Sequence, residues 1–220
     1  MATVTRSNLN RYRASLDAIA DRPKAGLKEM LGRLDWEDVT DCANKAVQIM
    51  RAAGQIGSDT AAVSAAEFYK HVRRNMVGGD WATLARSGYD ADAMEGAVRS
   101  FVATIFRDGD ADMFVEHCIA RYDAEVRNAA RHCIDENMRR DSVRAEYALV
   151  PDGECCDLCA ELAAIGPSAN WGDWDGHVHE HCRCVTVPVF EGGEIEGYNP
   201  DRYAEQLAEA ASGDLYDLPF

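Results

Sequence analysis

Residues 155–184 hold the side chains of this sequence whose types and spacing could do chemistry. Cys156 and Cys159 form a CxxC pair, a spacing at which a tight turn brings two thiolates to one tetrahedral ion. Further along, His179, Cys182 and Cys184 form an HxxCxC, and a strand beginning there would point Cys182 and Cys184 to the same side. Two such groups predict a metal site, and thiolate and imidazole ligands favour zinc over an iron–sulfur cluster.

The spacing favours Cys156 and Cys159 as one pair of zinc ligands and leaves the second pair open. Three residues compete for the two remaining positions, and at least one of them is surplus: His179, Cys182 and Cys184. The other donors nearby are expected to lie outside the ligand shell or to face solvent: Cys155, His177 and His181. Because the cluster has more than four protein ligands, no open position for water or substrate is required, and the zinc is expected to be structural.

Composition excludes several classes of protein. The 38 acidic residues outnumber the 23 basic ones, and the formal net charge of −15 opposes a large direct contact with nucleic acid. Residues 137–144 form one local basic patch, which is read as a solvated helix end. The N-terminus lacks the apolar segment of a secretory signal, and no apolar run approaches a membrane span. A soluble, intracellular protein is therefore expected, in which eight cysteines favour metal binding over disulfides.

Up to residue 140 the sequence predicts a helical body. One helix is expected from Asp35, ending at Gly54, and a second from Ser58 to Gly78 and Gly79. A third is predicted over 90–107, and the longest begins near Asp110. Its apolar face repeats every three or four residues: Phe114, Cys118, Tyr122, Val126, Ala129 and Cys133. The isolated cysteines and histidines of this part are interpreted as structural: Cys42, His71, Cys118, His117, His132 and Cys133.

After residue 140 the pattern changes. Residues 142–153 and 182–190 are predicted as two strands that flank the cysteine segment. Residues 191–220 carry eight acids and one arginine, a charge of −7, and are expected to form a flexible acidic arm with a short helix over 200–211. The predicted domains are therefore a helical body (1–140), a Cys/His zinc-binding unit (141–190) and an acidic tail (191–220). The fold class is mainly α, with a small α+β zinc-knuckle unit and a short two-stranded element around the metal.

The sequences VPDGECCDLCAEL and HEHCRCVTVPVF resemble the C-terminal motif of the Mu F-like minor head proteins of tailed bacteriophages. That motif has a CxxC, a loop, an HxxCRC and an exit strand of the VxPVF type. The resemblance matches Cys156 and Cys159 to the first pair, and His179, Cys182 and Cys184 to the second group. Three features depart from the motif: the extra Cys155, the loop 171–176 and the acidic tail.

The resemblance implies a minor capsid protein that acts in head morphogenesis, is present in few copies near the portal and carries out no reaction. Its partners would be the portal protein, the major capsid protein or both, without a membrane. It would be found in the virion, and in the host cytoplasm during assembly.

Three other functions remain open. A ββα-metal nuclease could recruit Asp175, His177 and His181, although the acidic charge and the missing distal Asn or His speak against it. A zinc peptidase is less favoured, because HEHC lacks the second histidine four residues after the first. A host zinc-bearing interaction module is the third class. Magnesium-dependent DNA cleavage would identify the nuclease, and neighbouring portal and capsid genes would distinguish a phage protein from a host protein.

Overall fold

The computed structural model describes residues 3–108, 110–153, 155–168 and 182–213. The elements in these ranges are, in chain order, β1 (Thr3–Val4), α1 (Arg6–Asp21), α2 (Lys24–Gly32), α3 (Val39–Met76), α4 (Ala91–Asp108), α5 (Ala111–Arg140), β2 (Ala145–Val150), α6 (Asp157–Ile165), β3 (Val185–Phe190), β4 (Glu194–Ile195) and α7 (Pro200–Gly213). Most of the chain is helical, with a small two-stranded unit beside a cysteine cluster. The predicted fold class is confirmed.

The helices α3 and α5 form the centre of the protein, and α1, α2 and α4 pack around this pair. The helix α5 begins where the sequence predicts, because the Asp110 carboxylate accepts a hydrogen bond from the Met113 amide at 2.8 Å and so caps the first turn. Arg139 and Arg140 lie in its last turn, where cations interact favourably with the helix dipole. Every residue of the predicted apolar face of α5 is buried.

The two helices expected on either side of Gly54 are one continuous helix, α3, of 38 residues, so that prediction was wrong. It begins after Asp38, whose carboxylate accepts a hydrogen bond from the Asp41 amide, and not after Asp35. Ser58 is fully buried inside the helix. A Cβ at Gly54 would lie 2.8 Å from the Tyr89 ring. This glycine therefore permits the close approach of an aromatic side chain and does not end the helix.

Gly57 likewise permits the close approach of an aromatic side chain, in this case from α5, and this leads to a testable prediction. A Cβ there would lie 2.7 Å from the hydroxyl of Tyr122, which is buried and donates a hydrogen bond to the Ile19 carbonyl. We expect Gly57→Ala to lower the free energy of unfolding by about 1 to 2 kcal/mol, because overpacking exceeds the gain in helix propensity. Denaturant unfolding measures the change.

The matched control is Gly26→Ala in α2, where a Cβ would meet nothing within 4 Å. This substitution should raise the free energy of unfolding by about 0.5 to 1 kcal/mol. If both alanine variants are stabilised equally, the close contact between Gly57 and Tyr122 does not constrain the packing of α3 against α5.

The strands β2 and β3 are antiparallel, with Ala145 opposite Phe190 and Val150 opposite Val185. The strand β3 lies against α3 and α5, and its Phe190 packs edge-on against Tyr69 with a centroid distance of 6.0 Å. The second predicted strand begins later than expected, at Val185, so the CxC precedes it. The strands share the main hydrophobic core with the helices. The domain boundaries at 140 and 190 stay a prediction.

Residues 191–213 are packed against the rest of the protein, so the expectation of a flexible arm was wrong for this part. Ile195 is buried, and β4 pairs in parallel with β1. The predicted helix is present as α7 and packs against α6, and the Tyr198 hydroxyl donates a hydrogen bond to the Ala163 carbonyl at 2.6 Å. Aromatic and aliphatic groups therefore anchor an otherwise acidic segment. Four large apolar residues of the tail lie outside the described residues: Leu215, Tyr216, Leu218 and Phe220.

Candidate metal centre

Strand pairing and helix packing bring three cysteines to one place. The last residue of β2, Val150, pairs with the first residue of β3, Val185, so Cys184 lies beside the end of β2. A turn with Gly153 at φ +74° reverses the chain after β2, and α6 then packs back on that strand. Cys159, in the first turn of α6, therefore faces the segment that precedes β3.

The sulfur atoms of Cys159, Cys182 and Cys184 all lie within 4.8 Å of one another, and the side chains are at most 5% exposed. The Cys159 and Cys182 sulfurs are 3.4 Å apart, far beyond the roughly 2.05 Å of a disulfide. Two thiolates on a tetrahedral zinc, each about 2.3 Å from the ion, are about 3.8 Å apart. The spacing of the three sulfurs fits a shared metal ion.

Cys156 caps the α6 helix that carries Cys159. Its sulfur accepts a hydrogen bond from the Cys159 amide at 3.5 Å, and the residue is exposed. It lies outside the group of three sulfurs within 4.8 Å. Cys155, expected outside the ligand shell, is half-buried and packs against the cluster. The structure thus brings together three of the five predicted ligands and leaves the identity of the fourth as a prediction.

His179 lies outside the described residues, as do three others considered for the site: Asp175, His177 and His181. Arg183, between the two clustered cysteines, is exposed and forms an ion pair with Asp17 of α1 at 3.4 Å. Around the sulfurs, the only buried apolar partners among the described residues of this small cluster are Leu149 and Leu162. So little apolar surface around the sulfurs gives the packing of α6 and the CxC segment little stability of its own, and a bound metal ion would supply more.

Sequence reasoning missed one residue of this site, Arg131 of α5. It is 4% exposed, and its Nη2 donates to the Cys184 carbonyl at 2.7 Å and to the Cys182 sulfur at 3.6 Å. The available signal was that Arg127 and Arg131 lie four residues apart on the same side of a predicted buried helix. Buried arginines require polar or charged partners, so this pair indicated a polar group packed against α5.

The three thiols do not share protons equally. The pKa of Cys182 is lowered, because Cys159 and Cys184 donate hydrogen bonds to its sulfur and because Arg131 lies beside it. The pKa of Cys159 is raised, because its thiol donates to the other two sulfurs and because it is buried. Burial lowers the pKa of Arg131, while the charge on Cys182 and Cys184 opposes that change. The cluster therefore concentrates negative charge, and it could hold a thiophilic metal ion.

A family model described as VG15 protein matches residues 3–210, nearly the whole chain. The chain belongs to the VG15 protein family. This is a family of viral proteins, which indicates a phage protein and speaks against a host module. Comparisons with curated proteins and with solved structures gave no match.

The remaining cysteines of this VG15 protein pack inside the helical body. Cys118 is fully buried, and burial raises its pKa to about 12. The Cys133 thiol donates a hydrogen bond to the Ala62 carbonyl at 3.2 Å. His71 lies between the side chains of Asn8 and Asn75. These contacts support the structural interpretation of the isolated residues.

Within the described residues of the VG15 protein, no helix is both long and apolar enough to cross a bilayer.

Proposed function

We propose that this VG15 protein is a minor capsid protein that acts in phage head morphogenesis near the portal, stabilised by a structural zinc. One observation carries the proposal. The cysteines that give residues 150–190 their resemblance to the Mu F-like minor head proteins include the three that form the buried sulfur cluster. The cluster fits zinc because buried thiolates are the ligands of structural zinc sites, which have no redox requirement.

The burial of the sulfur cluster supports a structural role and not a reaction. A catalytic zinc keeps one position open to water or substrate, whereas the three cysteines here are at most 5% exposed and lie between α5, α6 and the β2–β3 pair. Arg131 and Leu149 are among the residues that cover them. The function proposed for this site is to fix the position of α6 and β3 against the helical body.

The partner proposed is the portal protein, the major capsid protein or both. The net charge of −15 would favour association with a basic face of the partner and would oppose direct contact with DNA. The proposed locations are the virion and, during assembly, the host cytoplasm. No membrane is involved in this proposal.

Quantitative mass spectrometry of purified virions, from the phage that carries the gene, tests the proposal. We expect peptides of this chain in every preparation, at a copy number close to that of the portal protein and far below that of the major capsid protein. The matched control is a non-structural phage protein from the same lysate, which should be lost on purification.

Two results would count against this role. The first is absence of the chain both from virions and from portal complexes captured during assembly. The second is magnesium-dependent cleavage of DNA by the purified protein, which would favour the nuclease alternative.

A further inference from the structure

Arg131 is a buried cation of α5 that contacts the cysteine cluster. Its Nη2 lies 2.7 Å from the Cys184 carbonyl oxygen and 3.6 Å from the Cys182 sulfur, and its Nη1 donates to the Asn128 side chain at 3.0 Å. Its Nε is buried and has no hydrogen-bond partner within the described part of the chain. The guanidinium is thus held against the sulfurs from the α5 side.

Arg127, one helical turn earlier, shows how a buried arginine of this helix is otherwise neutralised. It is 3% exposed, and its guanidinium lies 2.9 Å from both Asp123 and Asp17. Among the described residues, no carboxylate lies within ion-pair distance of Arg131. A buried charge that lacks an opposite charge costs several kcal/mol, and within the part of the chain that the structure describes the anions placed to offset the charge of Arg131 are the thiolates of the cluster.

We infer that Arg131 is the buried counter-cation of the metal centre, and that it holds the Cys182 and Cys184 segment from outside the ligand shell. This inference rests on the proposed metal site. A divalent ion with four thiolates has a net charge of −2, and with three thiolates and one neutral imidazole its net charge is −1. With either ligand set the loaded centre is an anion, and Arg131 is placed to neutralise part of its charge.

The substitution Arg131→Met tests this role, because methionine keeps an unbranched side chain and removes the charge and the donors. We expect the affinity for zinc to fall about 10- to 100-fold, the usual effect of removing a group that orients metal ligands. The zinc affinity of Arg131→Lys should lie between those of the wild-type chain and Arg131→Met, because lysine keeps the charge but cannot donate in the same planar fork.

Zinc affinity is measured by competition with a chromophoric chelator, on protein whose folding is checked by circular dichroism. Cobalt substitution gives a second readout, since the sulfur-to-metal charge-transfer band reports the thiolates bound. The matched control is Arg127→Met, which removes an equally buried cation that does not contact the sulfurs. It should lower stability but leave the zinc affinity of the folded protein within about threefold, well short of the change expected for a group that orients ligands.

Zinc affinity reduced in Arg131→Met and retained in Arg127→Met supports the inference. If Arg131→Met does not fold, the zinc affinities of Arg131→Lys and Arg127→Lys are compared instead. A reduced affinity in the first and a retained affinity in the second support the inference. Equal zinc affinity in the wild-type chain and in a folded Arg131 variant overturns the inference while leaving the metal centre intact. A wild-type chain that binds no metal overturns the proposed centre itself, and the role of Arg131 with it.

Discussion

Replacing Cys159 by serine is expected to abolish metal binding and to destabilise the segment that contains α6 and β3. A serine hydroxyl is a poor ligand for zinc, and the sulfur it replaces lies at the centre of the cluster, 3.4 Å from that of Cys182. A ligand present at about 1,000 times its Kd contributes about 4 kcal/mol to stability. We therefore expect Cys159→Ser to lower the free energy of unfolding of this segment by at least about 4 kcal/mol. Few apolar contacts surround the sulfurs, so packing cannot replace the metal.

Hydrogen exchange resolves where the loss occurs. Amides of α6 and β3 should lose protection in Cys159→Ser, while those of α3 and α5 should keep it, because these two helices bury their own apolar faces. The helical circular-dichroism signal should therefore largely survive. The matched control is Cys118→Ser, which alters a buried cysteine of α5 and should leave the metal content unchanged.

Two results would contradict this prediction. Unchanged protection of α6 and β3 in Cys159→Ser would mean that the sulfur cluster does not hold this region together. A cooperative collapse of the whole helical signal would mean instead that the predicted boundary at residue 140 does not separate units of different stability.

The substitution Asp141→Asn is expected to destabilise the helical body strongly. The Asp141 carboxylate is completely buried and lies 2.8 Å from the Arg73 guanidinium, which is itself 9% exposed. It also accepts a hydrogen bond from the Tyr69 hydroxyl at 3.1 Å. Asparagine keeps the shape but leaves the charge of Arg73 buried without its anion. We expect the free energy of unfolding to fall by about 3 to 5 kcal/mol, as measured by denaturant unfolding.

The pair of Arg33 and Glu29 at the C-terminal end of α2 provides the control, because both side chains are more than half exposed. Glu29→Gln should change the free energy of unfolding by less than about 1 kcal/mol. A similar small change in Asp141→Asn would show that other contacts stabilise the buried Arg73 guanidinium sufficiently, such as its hydrogen bond to the Gly78 carbonyl.

The helix α5 could be predicted almost completely from the sequence, whereas α3 could not. The apolar repeat of α5 is long and uninterrupted, and Asp110 is a strong cap. In α3 the local sequence is ambiguous, because a glycine within an apolar repeat can end a helix or admit a neighbouring ring. The rings that decide between these outcomes belong to Tyr89 and Tyr122, distant in sequence. Only tertiary packing reveals them.

In the metal centre and the tail, too, local patterns could be predicted from the sequence and long-range contacts could not. The CxC spacing indicates two members of the cysteine cluster, because residues two apart can reach the same ion. Of the CxxC pair, only Cys159 joins the group of three sulfurs. Arg131 is 51 residues from Cys182, and no local pattern connects them. The acidic composition of residues 191–220 indicated a mobile arm, because charge dominates a composition average. The contact of Tyr198 with α6 depends on a few apolar groups that such an average does not detect.

The metal content of the purified wild-type chain tests most directly the claim that the buried cysteines form a structural metal centre. Mass spectrometry of metals, combined with protein concentration, should give about one zinc per chain. This zinc should stay bound through gel filtration, and its removal by a chelator should expose the amides of α6 and β3. A metal-free chain in which α6 and β3 are as protected as the helical body would contradict the claim.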